Sequence, residues 1–267
     1  MSTFINSFWK IHPSLWSFDT ILDTPSNNAF LIRRVSDNVE QTFTGAEITN
    51  GTYATFISGT QGAIKEWYQS DYKLVQTTNA YQFFLVENAG NPYVDDTAQS
   101  SSMRASSIVS KMSNDWIITA IFNNELNGNN GRLNFAIMGN ILYENFNLIL
   151  VPYGNGHVKT NTNISNPSSN YSFPYSLDGN FNLYTFAMIG GVFNIYKNNV
   201  SLAVGAVVYS IVNFDYNVLN RVLIGNRGDN ANGKINKYQH LGMKYGTDLS
   251  TFDLSTHNTA IMTKYSI

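Results

Sequence analysis

Between Gly225 and Gly233 the sequence reads GNRGDNANG, with the carboxylate of Asp229 set among the amides of Asn226, Asn230 and Asn232. Short oxygen-bearing side chains in such a turn suit four tasks: a catalytic carboxylate, a sugar or cation site, an adhesion tag, or a hairpin whose Asn and Asp bond their own backbone. As a cation site, Asp229, Asn230 and Asn232 offer oxygen ligands, yet the downstream bidentate Glu of an EF-hand loop is missing. Arg227-Gly228-Asp229 has the form of an integrin ligand, but a triplet recurs by chance. The four histidines, His12, His157, His240 and His257, show no metal-ligand spacing and read as surface or hydrogen-bonded structural residues. No Ser-His-Asp order can be argued, and no Gly-rich phosphate loop leads from a strand into a helix. Trp67, Tyr68 and Tyr153 can stack on sugar rings if exposed and fill a core if not. With Gln69, Asp71, Asn226, Asp229, Asn230 and Asn232 they form the candidate glycan-binding set.

A chain of 267 residues with 43% hydrophobic and 14% aromatic content can bury a substantial core. Sixteen basic residues against 18 acidic ones, with no long basic run, speak against nucleic acid as a partner. With no cysteine, disulfides and thiolate metal sites are excluded and stability rests on packing. The N-terminus lacks the basic start and unbroken apolar stretch of a signal peptide. The most apolar run, FNLYTFAMIGGVFNIY, falls short of the roughly 18 to 20 residues of a membrane helix. These features predict a soluble protein without a secretion signal, with no membrane partner and no cofactor beyond a possible structural cation.

Short apolar alternation broken by Asn, Gly and Ser predicts antiparallel strands at 29–35, 63–69, 115–123, 132–140, 146–154, 182–191, 192–199, 200–209, 220–226 and 236–246. About ten strands imply two packed sheets, a β-sandwich or jelly roll. Asn198-Asn199 sits between two alternating runs and predicts a tight hairpin, because Asn tolerates positive φ. Short helices are expected from TYATFIS, ending near Gly59, and over 255–265 with Ser255 as the cap. Residues 88–113 are polar and Ser-rich and read as a long connection or irregular edge. The first 27 residues form an arm whose Phe8, Trp9 and Trp16 suit either docking on another surface or covering their own domain. The remainder, 28–267, reads as one sandwich domain.

AFLIRRVSDNVEQTFTG (29–45), ATFISGTQGAIKEWYQSD (54–71) and YKLVQTTNAYQ (72–82), together with VLIGNRGDNANGKINKYQHLGMKYGTDLSTFDLSTHNTAIMTKY (222–265), resemble the opening and closing segments of the catalytic domain of α-L-arabinofuranosidase B enzymes and of related domains in phage virion proteins. The C-terminal segment is also similar to laminin-G and concanavalin-like jelly rolls. The resemblance implies an all-β, concanavalin-like sandwich with one or two short helices.

In that family the acid/base is the Asp of a Gly-Asp-Asn turn, which corresponds to Asp229. The family's nucleophilic carboxylate matches the stretch NFAIMGNILYENF (134–146), where the carboxylate positions hold Ala136 and Leu142; Glu144 is the nearest replacement if the register shifts. The family's Asp after Trp-Tyr is absent unless Asp71 takes its place, and its adjacent cysteine pair is missing. A retaining glycosidase needs two carboxyls about 5 to 5.5 Å apart. The resemblance therefore implies a phage virion structural protein of the head fibre, head decoration or tail. Its jelly roll is lectin-like and non-catalytic, its partners are other virion proteins, its own copies and a surface polysaccharide, and it assembles in the host cytoplasm. The alternatives are an active arabinofuranosidase using Asp229 and Glu144, and a plain carbohydrate-binding module.

Overall fold

A computed structural model describes residues 16–18, 28–68, 73–87, 92–95, 102–106, 115–123, 133–139, 147–153, 155–160, 169–174, 179–190, 192–202, 219–225, 237–246 and 249–267. The fold is an all-β sandwich of antiparallel strands, with three short α-helices among the described residues. One layer is built on β18 (Lys237–Gly246), which pairs along one edge with β9 (Asp115–Asn123). Next come β14 (Asn182–Ile189), β15 (Val192–Lys197) and β16 (Val200–Leu202). β1 (Trp16–Phe18) and β7 (Tyr93–Asp95) also pair with β18.

The second layer starts with β3 (Glu40–Thr44), β2 (Asn28–Arg34) and β4 (Gly62–Tyr68). It continues through β5 (Lys73–Val75), β8 (Ser102–Ser106), β17 (Leu219–Gly225) and β10 (Leu133–Gly139). β11 (Asn147–Tyr153), β12 (Asn155–Thr160) and β13 (Ser169–Pro174) complete it. β6 (Phe83–Val86) bridges β4 to β7 and so joins the layers.

Alternation along β9 and β14 sorts their residues onto two faces. Ile121 and Leu183 pack against Ile261 and Tyr265 of α3 (Leu254–Tyr265), and Ile117 and Ala187 pack against Leu249. On the opposite face Phe122 and Tyr184 stack at 4.8 Å in the core. A polar ladder docks α3 as well: the Thr185 hydroxyl donates to Asn258 Oδ1 at 2.9 Å, and Asn258 Nδ2 donates to Asn199 Oδ1 at 3.2 Å. Asn258 and Thr185 are fully buried, so the bond between them forms away from water.

Asn199 belongs to the expected β15–β16 hairpin, where Asn198 and Asn199 have φ of 47° and 65°. Two consecutive positive values are what a type I′ turn requires. Asn198 also accepts from the Leu183 backbone and donates to Asn182, which fixes the turn against β14.

Three expectations need correction. α3 begins at Leu254 and is capped by Asp253, whose carboxylate accepts from Thr256 N at 2.9 Å, so Ser255 lies inside the helix. The TYATFIS helix is the single turn Thr52–Phe56 (α2), preceded by α1 (Gly45–Thr49) with a Thr44–Glu47 capping box. Residues 88–113 are not one long connection, because β7 and β8 run through them. The expected 200–209 strand is present over Val200–Leu202, and its remainder lies outside the described residues.

Candidate functional site

Trp67 is not on a sugar-binding surface. A bulge in β4 places Leu31 opposite Glu66 and Ile32 opposite Ile64, leaving Lys65 as the extra residue. The extra residue shifts the alternation by one, so Trp67 follows Ile64 to the buried face. The indole is 2% exposed and meets Phe30 at 5.4 Å between ring centroids. It is core.

Tyr68 is half-buried and sits in a charged cluster. Lys73 Nζ lies 2.6 Å from Glu66 Oε1 and 5.7 Å from the centre of the Tyr68 ring. Burial pushes the Glu66 carboxyl up, but hydrogen bonds from Lys73 and Tyr68 and the charges of Lys73 and Lys65 outweigh it and hold it below the usual carboxylate range. Burial and the bond to Glu66 push the Tyr68 hydroxyl up. An ionised carboxylate already engaged by a lysine and a phenol is a strand-pairing device rather than an acid or base.

Gln69, Asp71, Glu144, Asn226, Asp229, Asn230, Asn232, Phe8 and Trp9 lie outside the described residues. The strands that precede these segments are described. Arg104 of β8 pairs with Val75 and with Leu223, Ser106 with Arg221, and Ser102 with Gly225. Gly139 of β10 pairs with Leu219, while Phe135 pairs with Ile224. β10 and β17 run antiparallel, so Gly139 and Gly225 lie at opposite ends of their ladder. Leu219 to Gly225 is six strand steps, about 20 Å.

Tyr68 and Lys73, paired across β4 and β5, lie toward the Leu219 end of that ladder. Tyr153, beyond the Leu150–Leu133 pair, lies toward the Gly225 end. Ala136, at the matched carboxylate position, lies inside β10 between Asn147 and Leu223. Trp16, an expected assembly residue, is paired with Tyr245 of β18.

Two histidines are structural, as expected. Thr119 Oγ1 and His240 Nε2 are 2.8 Å apart, and the His240 ring meets Tyr265 edge-on at 5.6 Å. Complete burial, with the charge of His257 nearby, pushes the His240 imidazole down to about 3. His257 is itself buried and packs against Phe252. Among the described residues no group of three or more His, Cys, Asp and Glu is arranged to hold a metal.

Sequence reading missed a polar row on the outer face of the first layer. Lys237 of β18 pairs with Asp95 of β7 on one side and Asn123 of β9 on the other. Asp95 fell in a segment read as a connection. Asn123 read as the end of an apolar strand; its only signal was a polar residue continuing the Ile117, Thr119, Ile121 face.

An arabinofuranosidase complexed with arabinofuranosyl-α-1,2-xylobiose superimposes with a TM-score of 0.54 and 15% identity, over 92% of this chain and 62% of its own. An α-L-arabinofuranosidase soaked with a cyclic sulfate inhibitor gives 0.49 at 14% identity, over 87% and 59%. The binding domain of botulinum neurotoxin serotype G gives 0.45 at 15%, over 90% and 51%. This chain spans less than two thirds of the length of each. No family model matches the sequence, and no curated protein matches it. The likeness lies in the fold: an all-β jelly roll resembling that of the arabinofuranosidase.

Proposed function

We propose that the chain is a non-catalytic, glycan-contacting jelly roll that serves as a structural protein of a phage virion, with residues 1–27 as an assembly arm. The observation that carries the non-catalytic part is Ala136. It occupies a position matched to the family's carboxylates, inside a strand of a fold shared with an arabinofuranosidase over 92% of the chain. An alanine methyl cannot attack an anomeric carbon. A fold can persist after the chemistry it once supported is lost.

The glycan part draws on the lectin-like fold, and the virion part on the sequence resemblance to phage virion domains. Incubation of the purified protein with arabinan, arabinoxylan and bacterial surface polysaccharides tests the first two parts. Retention of the protein without released sugar is expected; sugar release abolished by Asp229→Ala would establish a hydrolase instead. For the virion part, the chain should be found in purified particles, and its absence from them would remove that role.

A further inference from the structure

Arg33 of β2 is 7% exposed, yet among the described residues no carboxylate pairs with it. Its in-register neighbours are Glu40 on β3 and Ala63 on β4, and Ala63 pairs in turn with Phe84 of β6. The small Ala63 side chain lets the guanidinium cross β4 toward Gln82, two residues before Phe84. Both acids close by in sequence are already taken. Glu40 accepts from Lys65 Nζ at 2.8 and 3.0 Å, and Asp37 accepts from Arg34 at 2.6 to 3.1 Å.

The groups that hold Arg33 are neutral. Nε donates to Gln82 Oε1 at 3.0 Å, and Nη1 donates to Asn38 Oδ1 at 2.8 Å. Gln82 is 1% exposed and is fixed in turn by donating to the Gln76 carbonyl at 3.1 Å. Among the described residues Nη2 has no hydrogen-bond partner, and it is not one of the side-chain atoms shut off from solvent. Arg33 lies between two exposed stretches, meeting 35–39 through Asn38 and adjoining 77–81 through Gln82. A largely buried cation ordinarily has an acid beside it. Here two amides orient the guanidinium without cancelling its charge, and leave one edge of the fork at the surface.

We propose that Arg33 binds the carboxylate of an acidic sugar, a uronate or a sialate, at the surface between 35–39 and 77–81. The carboxylate accepts charge-assisted hydrogen bonds from the Nη2 edge, and only that edge has to be reached. The sugar ring lies over the exposed stretches, where Tyr81, 37% exposed, offers an aromatic face. Glu40 and Asp37, each matched by its own cation, leave the charge of Arg33 for the ligand.

This inference rests on the glycan-contacting reading and names the class of sugar. The test is retention on arabinan, polygalacturonate and polysialic acid, comparing wild type with Arg33→Gln and Asn38→Gly, each checked for an unchanged circular dichroism spectrum. Arg33→Gln removes the charge and keeps an amide. Asn38→Gly lies in an exposed turn with φ of 62°, which glycine adopts freely, and carries the test if Arg33→Gln does not fold. Wild type should retain an acidic member, and the variants should lose about ten-fold, the scale of one charge-assisted hydrogen bond. Free glucuronate should release the protein and inorganic phosphate at equal ionic strength should not; release by both overturns the sugar as ligand. Undiminished retention in folded variants, or retention on arabinan alone, overturns the inference while leaving the glycan reading intact. Failure of wild type to be retained by any member overturns both.

Discussion

Trp67 and His240 show how far a residue's role depends on neighbours distant in sequence. Trp67→Ala removes a 2% exposed indole from between β2 and β5 and is expected to cost about 3 to 5 kcal/mol in chemical denaturation. A core role predicts that any glycan retention survives in the fraction that folds. Tryptophan's aromatic surface made both roles legible, but the bulge at Lys65 that decides between them leaves no mark in the local pattern.

His240 makes stability depend on pH. In the folded chain its imidazole stays neutral down to about 3, against 6.5 when unfolded, because burial penalises the cation. The unfolded chain therefore takes up the proton first. The contribution of His240 is complete above about pH 6.5 and is lost as the pH falls toward 3, with a slope of at most about 1.4 kcal/mol per pH unit. Urea denaturation from pH 7 to pH 4 should show this decline, and His240→Gln should flatten it. An unchanged slope in the variant would assign the pH dependence to other groups.

At the scale of elements, Asn-Asn between alternating runs announced the β15–β16 hairpin, because few other dipeptides adopt two positive φ values in succession. The same turn holds α3, since Asn199 donates to Ser255 Oγ at 3.1 Å and accepts from Asn258. Asn258→Ala would strand the buried Thr185 hydroxyl and is expected to destabilise the chain by about 1 to 3 kcal/mol, read from the denaturation midpoint. Limited proteolysis should then cut within 254–267 before the strands. Long strands such as Asp115–Asn123 were legible to the residue. β7 and β8 were not, because three to five residues carry too few periods to show an alternation.

For the whole molecule, the jelly roll was legible from strand number and from two terminal segments, and the likeness to an arabinofuranosidase fold agrees with both. The candidate site was legible only as residue types. Which ends of which strands carry them is set by the β5–β8–β17–β10 ladder, whose registers join segments far apart in sequence. The Asp95–Lys237–Asn123 row was hidden for the same reason, being assembled from three distant strands.

The central claim is a retained fold without a nucleophile. A retaining hydrolase forms a covalent glycosyl-enzyme intermediate, so a mechanism-based arabinofuranosyl trap leaves a permanent mark on its carboxylate. Intact-mass measurement of the protein after prolonged exposure to such a trap should return the unmodified mass. An adduct mapping to Glu144, and absent from Glu144→Gln, would show a working nucleophile and contradict the account.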